Sequence, residues 1–149
     1  MINAIRTWLK KCDCFDSLKD FGVDFLSSDA NVASIEKSPG QKTIERKVNG
    51  DSIKQINIIL RAWFPYSDEI KQNIENSEFY ENVSDWIEEQ VENNDLPVFK
   101  NNKVCTNVEV TTSDYLISVA ENMRKACYQM QFRVEYRKVC TNEFSKFYK

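Results

Sequence analysis

Apolar and polar residues alternate along the stretch YQMQFRVEYRK, residues 128–138. One set of alternate positions is apolar: Tyr128, Met130, Phe132, Val134 and Tyr136. Successive side chains of a strand point to opposite faces of a sheet, so the pattern predicts a strand with one buried face. The other face carries a row of long polar side chains: Gln129, Gln131, Arg133, Glu135 and Arg137. That polar face meets either water or another protein.

The first forty residues predict one helix and two strands. Four apolar residues recur at helical spacing near the start: Ile2, Ile5, Trp8 and Leu9. Phe21, Val23 and Phe25 then alternate as in a strand. The stretch NVASIEKSPG, residues 31–40, indicates a second, weaker strand that ends at the turn signal Pro39-Gly40.

A hairpin is predicted around Asn49-Gly50, because both residues tolerate a positive φ at little cost. The strand after this turn has one apolar face, made by Ile56, Ile58, Leu60, Ala62 and Phe64. Ile59 and Trp63 interrupt its polar face. Trp63 either packs beneath a loop or helix end, or belongs to a protein interface, where large aromatic residues are enriched.

Two helices are expected next. Ser67 is a good cap for the first, in which Ile70 and Ile74 form the apolar stripe. On a straight helix Phe79 would lie opposite Ile70, so we expect a break near Asn76-Ser77. The second helix has an apolar face of Phe79, Val83, Trp86, Ile87 and Gln90 and an acidic face of Glu81, Asp85, Glu88, Glu89 and Glu92. We expect it to end around Asn93-Asn94, before Pro97.

The last third returns to strands. CTNVEVTT, residues 105–112, is followed by a predicted turn at Ser113-Asp114, the strand YLISVA, a second turn at ENMRK, and the strand described first. The tail from Thr141 to Lys149 is expected to fray or to dock on a partner. Together these elements predict one α+β domain over residues 1–149, with a mainly antiparallel sheet and helices packed on one face.

The composition argues against an enzyme. The chain has no histidine, which removes the commonest general base, the Ser-His and Cys-His nucleophile pairs and the commonest metal ligand. Its three glycines, Gly22, Gly40 and Gly50, are too scattered for a phosphate-binding loop. We therefore expect no catalytic residue and no cofactor.

The cysteines and the hydropathy indicate a protein that stays in the cytoplasm in which it is made. The five cysteines are an odd number without a secretory signal, so free thiols are expected. Cys12 and Cys14 have no second cysteine pair at zinc spacing, which argues against a metal site. No apolar run approaches the roughly 18 to 20 residues that a membrane span requires.

Charge is divided unevenly along the chain. Residues 67–95 hold ten acidic residues and one basic residue, whereas residues 124–149 hold seven basic residues and two acidic ones. The two regions are either separate solvated faces or complementary surfaces for head-to-tail association, which can close into a ring. The interface candidates are Trp63, Asp85, Glu88, Glu92, Gln129, Gln131, Arg133 and Arg137. No motif of a recognised kind predicts sequence-specific nucleic-acid binding.

Three stretches resemble a known family. Residues 73–81 and 85–88, NIENSEFYE and DWIE, resemble that family's NIENSGFYEDFAEWIE. YQMQFRVEY is similar to its YQIQCRLEY strand, preceded here by VTTSDYL, and SIEKSPG resembles its SIEPLP. The family comprises tail terminator or minor capsid proteins of tailed bacteriophages and prophages, some of them labelled chloramphenicol resistance protein. The matches cover most of residues 31–138, with Glu78 and Cys127 as departures from the pattern.

The resemblance implies a tail-terminator-like fold and a structural protein of the virion tail and neck. Such a protein forms a six-fold ring that caps the tail tube, stops its polymerisation and joins tail to head, while the genome passes through the channel. Its implied partners are further copies of itself, the tail tube protein, a neck or connector protein, and the sheath where the tail is contractile. A drug-acetylating activity is not expected, because it needs a histidine base.

Two other interpretations stay open at the level of the sequence. A head-completion or neck connector protein, which seals the portal vertex, would share the size and composition of a terminator. A small cytoplasmic enzyme would need a convergent catalytic set, and the missing histidine and scattered glycines argue against one.

Overall fold

The computed structural model describes residues 1–24, 30–40, 43–66, 70–120 and 125–139. Helices α1 and α2 and six strands form a mixed α+β fold. In chain order the elements are α1 (Ile2–Leu9), a 3₁₀ turn (Asp13–Ser17), β1 (Asp20–Val23), β2 (Val32–Ser38), β3 (Thr43–Arg46), β4 (Ser52–Pro65), α2 (Ile70–Glu92), β5 (Lys103–Val119) and β6 (Lys125–Lys138).

The strands form one large sheet in the order β1-β2-β4-β6-β5, and β3 also pairs with β4. Only the β1–β2 pair is parallel among the described strands, so the sheet is mainly antiparallel as predicted. The alternating strand β6 lies inside the sheet. It pairs with β4 from Ser52 opposite Lys138 to Pro65 opposite Lys125.

The hydrophobic core lies on one face of this sheet, beneath α1 and α2. The predicted apolar sides of β4 and β6 both belong to it, and Ile58, Leu60, Phe132 and Val134 are fully buried there. The helices add Ile5, Trp8 and Leu9 from α1 and Phe79, Tyr80, Val83 and Ile87 from α2. We call the opposite side, which carries the polar row, the open face.

The hairpin at Asn49-Gly50 is confirmed, but its loop is longer than a two-residue turn. The Lys47 amide donates to the Asp51 carbonyl at 2.7 Å, and the Gly50 amide donates to the Lys47 carbonyl at 3.0 Å. Of the two turn residues only Gly50 has a positive φ, of 92°. Asn49 contributes through its side chain instead, because its Oδ1 accepts from the Asp51 amide at 3.0 Å.

The predicted break at Asn76-Ser77 is wrong, because α2 runs without interruption from Ile70 to Glu92. The break followed from placing Ile74 on the buried stripe, whereas this side chain is 52% exposed. The buried stripe contains Asn76 instead, whose Nδ2 donates to the Pro65 carbonyl at 2.7 Å. Ser77 therefore lies inside the helix, and the predicted cap Ser67 lies outside the described residues.

The predicted turn at Ser113-Asp114 is also wrong, because β5 passes through both residues as one strand. Its register against β6 shifts instead. Thr112 lies opposite Gln131 and Tyr115 lies opposite Gln129. Between these two pairs β5 contains one residue more than β6, as in a β-bulge. Phe25, residues 121–124 of the ENMRK turn and the tail from Thr141 to Lys149 lie outside the described residues.

Candidate interaction surfaces

The open face of the sheet is polar, and most of its predicted interface side chains already bind neighbours in the same chain. Gln129 was predicted to face outwards, and it does point to this face, yet it is only 6% exposed. Its Oε1 accepts from Arg61 Nε at 2.9 Å, and the Arg61 guanidinium also forms an ion pair with Glu36. This chain of contacts links β2, β4 and β6 across the sheet.

Arg133 lies between two carboxylates on the same face. Its Nη2 is 2.6 Å from Glu109 Oε2 on β5, and its Nε is 3.5 Å from Glu135 Oε1. Paired charges of this kind fix the side chain within the open face. Gln131, two residues before Arg133, is half-buried and has no hydrogen-bond partner among the described residues. It is therefore the predicted interface residue of β6 that remains available to a partner.

Arg137 secures the β3–β4 hairpin rather than projecting into solvent. Its Nε donates to Asp51 Oδ2 at 3.0 Å, and its Nη2 binds the same oxygen. The Asp51 side chain is 5% exposed, whereas that of Arg137 is 44% exposed. A buried carboxylate with a guanidinium partner is stabilised, but it becomes costly if the partner is removed. The hairpin is thus anchored to the carboxyl end of β6.

Trp63 lies on the open face near the far end of β4 and is half-buried. Lys125 Nζ lies 5.1 Å from the centre of its ring, within the range of a cation–π contact. The aromatic side chain is thus partly covered by its own sheet, and part of it remains accessible. Whether Trp63 packs beneath a loop or helix end or belongs to a protein interface stays a prediction.

The acidic residues of α2 are exposed, and four of them flank clefts between α2 and the sheet: Glu81, Asp85, Glu88 and Glu92. Asp85, Glu88 and Glu92 all face outwards. With Glu78 and Glu81 they form a stripe at spacings of three and four residues, which places them on one side of the helix. None of the five forms an ion pair within the described residues. We call this stripe the acidic face.

Among the described basic residues of 124–149, most already have a partner in their own chain. Arg133 and Arg137 are neutralised by carboxylates of their own chain, and Lys125 contacts Trp63. Unpaired basic residues lie instead beside a groove at the end of the sheet where β5 begins: Lys100, Lys103 and Lys138. Sequence reasoning counted Lys138 among the basic residues of 124–149 but missed Lys100 and Lys103, because these two lysines stand apart from the basic run of β6.

The thiols carry no sign of an activated nucleophile on the sheet. Burial raises the pKa of the Cys105 thiol to about 11 and that of Cys127 to about 11. Cys12 and Cys14 are free thiols with sulfurs 2.6 Å apart. Their mutual hydrogen bond lowers the pKa of Cys12 and raises that of Cys14.

Comparison with known proteins adds no identity. No protein-family model matches the chain, and no curated protein matches it.

Among the described residues, no group of three or more cysteine and carboxylate side chains is placed to hold a metal ion. No helix in the described part of the chain is long and apolar enough to cross a membrane. The function must therefore be argued from the surfaces themselves.

Proposed function

We propose that this chain is a tail terminator of a tailed bacteriophage or prophage, acting in the tail and neck of the virion. It assembles as a six-fold ring on the end of the tail tube, stops tube growth and offers a surface to the neck or connector protein. Its function is binding, with no catalytic step and no cofactor. The ring covers the end to which the next tube subunit would add.

The observation that carries the proposal is the open face of β4, β6 and β5. It is a surface of strands up to 17 residues long that carries the polar row together with apolar side chains such as Ile59, Trp63 and Val104, and no described helix covers it. Its charged groups are held in place by contacts such as Arg61 with Gln129 and Arg133 with Glu109. A surface whose side chains are already ordered loses less entropy when it binds another protein.

The segments that resemble the terminator family meet in the structure. NIENSEFYE forms the first half of α2, and YQMQFRVEY forms most of β6. Tyr80 and Tyr128, one from each segment, are joined by a hydrogen bond of 2.7 Å. A resemblance carried by segments that pack on each other supports a shared fold more strongly than isolated matches do.

The edges of the sheet offer a further means of assembly. Among the residues that the structure describes, each of the edge strands β1 and β5 pairs with one strand, and we propose the outer side of β5 as a place where a partner strand bonds. Such edges are common sites of joining between protein chains. Gln131 and Trp63 on the open face, and Asp85, Glu88 and Glu92 on α2, complete the surfaces available to the tube, the neck and neighbouring subunits.

The proposal is tested by adding the purified protein to tube protein of the same phage while the tubes polymerise. Electron microscopy measures tube length and the occupancy of tube ends. A terminator gives tubes whose growth stops and whose ends carry a ring. Tubes of unchanged length with bare ends would contradict the proposal. Binding to isolated portal–connector complexes instead would assign the chain to head completion.

A further inference from the structure

A groove of about 490 Å³ lies between α1 and the segment that joins α2 to β5. Trp8, Leu96 and Phe99 contribute apolar side chains to it, and Lys11, Lys100 and Lys103 contribute charge. Trp8 holds the two walls together, since its Nε1 donates to the Asp95 carbonyl at 2.8 Å and its ring lies 4.8 Å from that of Trp86. The groove is therefore a fixed part of the fold.

The positive charge beside the groove has no compensating carboxylate among the residues that the structure describes, apart from the one beside Lys11. Lys103 on β5 lies directly opposite Lys138 on β6, and like charges in that position destabilise a sheet. Neither lysine, nor Lys100, forms an ion pair among the described residues. Lys11 differs, because it lies 3.4 Å from Asp95. Three uncompensated lysines at an apolar groove indicate a partner with acidic side chains.

The groove also presents an apolar side chain to that partner. Val98 lines it and is 83% exposed. A small acidic molecule would bind the lysines and leave Val98 exposed to water. A protein surface that has an apolar residue beside its acidic residues would bury Val98 as well. The groove therefore favours a protein partner.

The acidic face of α2 has this composition. Ile74 begins the same outward stripe one turn before Glu78, and its side chain is 52% exposed. The stripe from Glu78 to Glu92 is about 21 Å long at 1.5 Å per residue. Its carboxylates have no basic partner in their own chain among the described residues. Ile74 and the carboxylates of the acidic face are therefore complementary to Val98 and the lysines beside the groove.

We infer that the groove of one copy binds the acidic face of α2 of a second copy, with Lys100, Lys103 and Lys138 facing its carboxylates. The two surfaces are different, so a single groove–helix contact between two copies is head-to-tail and leaves one free groove and one free acidic face on the pair. Repetition of such a contact closes a ring when the rotation permits. That such a contact builds a ring rests on the proposed function. The groove and the acidic face are the two surfaces through which the subunits of that ring would bind each other.

Two variants with reversed charge test this contact. The groove variant is Lys100→Glu/Lys103→Glu, and the helix variant is Glu81→Lys/Asp85→Lys. Glu81, Asp85 and Lys100 are exposed and Lys103 is half-buried, so both variants should fold, which circular dichroism checks. Size-exclusion chromatography with light scattering then gives the mass of each sample.

The wild type is expected to be oligomeric, and each variant alone to be monomeric. An equimolar mixture of the two is expected to regain the wild-type mass, because every contact between unlike copies again joins opposite charges. Matched controls, Lys19→Glu/Lys37→Glu and Asp16→Lys/Asp20→Lys, change exposed charges elsewhere and should keep the wild-type mass. Variants that stay oligomeric alone, or a mixture that stays monomeric, would overturn the inference.

The wild type provides a test that needs no substitution. Raising the salt from about 0.01 M to about 1 M shortens the Debye length from about 30 Å to about 3 Å and should weaken association at least tenfold. A wild type that is monomeric at low salt, or whose mass is independent of salt, would overturn the inference. Loss of this contact with tube termination intact would leave the proposed function standing. Copies that still assemble through this contact but do not stop tube growth would contradict the proposed function and leave the contact standing.

Discussion

Tyr80 of α2 donates a hydrogen bond of 2.7 Å from its phenol oxygen to the Tyr128 carbonyl at the start of β6. The Tyr80 side chain is 1% exposed, so this bond forms in the core. It links the two segments that most resemble the terminator family. This bond is one of the contacts that hold α2, and with it the acidic face, over the sheet, together with the buried apolar side chains of the helix.

Tyr80→Phe should lower the free energy of unfolding by about 1 to 2 kcal/mol, because the carbonyl of a buried strand residue loses a partner. Urea denaturation measures the change. Tyr136→Phe is the matched control, since Tyr136 is also buried and its phenol has no hydrogen bond among the described residues. Equal losses in the two variants would contradict a structural role for the Tyr80 bond.

Asn76→Ala tests the buried contact between α2 and the Pro65 carbonyl. Its side chain is 3% exposed and binds the Pro65 carbonyl, so the substitution should cost about 1 to 3 kcal/mol of unfolding free energy. Asn82→Ala, at an exposed site on the same helix, should be neutral or slightly stabilising because alanine is the better helix former. An Asn76 variant that lost no more stability than the Asn82 variant would contradict the buried contact between Asn76 and the Pro65 carbonyl.

Arg137→Gln should destabilise the β3–β4 hairpin. Asp51 would keep its charge in a buried site without its guanidinium partner, at a cost of about 1 to 3 kcal/mol, reduced from fully buried pairs because Arg137 is partly exposed. Lys37→Gln, at an exposed position on β2, should change stability by less than about 0.5 kcal/mol. Hydrogen exchange should show faster exchange of the hairpin amides in the Arg137 variant alone, and unchanged exchange would contradict the assignment.

Cys105 and Cys127 predict a loss of stability at high pH. Burial raises the pKa of both thiols from 9.0 to about 11, so the unfolded chain loses these protons first as the pH rises. Their contribution is therefore complete below about pH 9 and is lost between about pH 9 and about pH 11. The difference in unfolding free energy between wild type and Cys105→Ala/Cys127→Ala should fall across that window. Lysines and tyrosines common to both proteins cancel, so a constant difference would contradict the prediction.

The alternating strands could be predicted from the sequence because alternation depends only on the chain's own periodicity. Ile58 and Phe132 lie in the core as their positions in β4 and β6 predict. The continuity of α2 through Asn76-Ser77 could not be predicted from periodicity. Asn76 looks like a helix-breaking surface residue until its partner, the Pro65 carbonyl, is known, and that partner belongs to the tertiary structure.

The sequence predicts on which face of its strand a polar side chain of β6 lies. It does not predict whether that side chain is free or already bonded to a neighbour. The polar row of β6 does lie on one face, yet Gln129 is buried there because Arg61, 68 residues earlier, lies beside it. The pairing of Arg133 with Glu109 depends on the register of β5, including its bulge. Since register between distant strands is set by packing, a single sequence shows which side chains share a face and not which of them remain free.

Deletion of the encoding gene from its parent phage or prophage tests the proposed function most directly, with lysates viewed by negative-stain electron microscopy. A tail terminator predicts tubes of uncontrolled, excessive length beside unjoined heads, and a return to normal tails when the gene is supplied in trans. Tails of normal length beside leaky or empty heads would contradict termination and would place the protein on the head side of the neck.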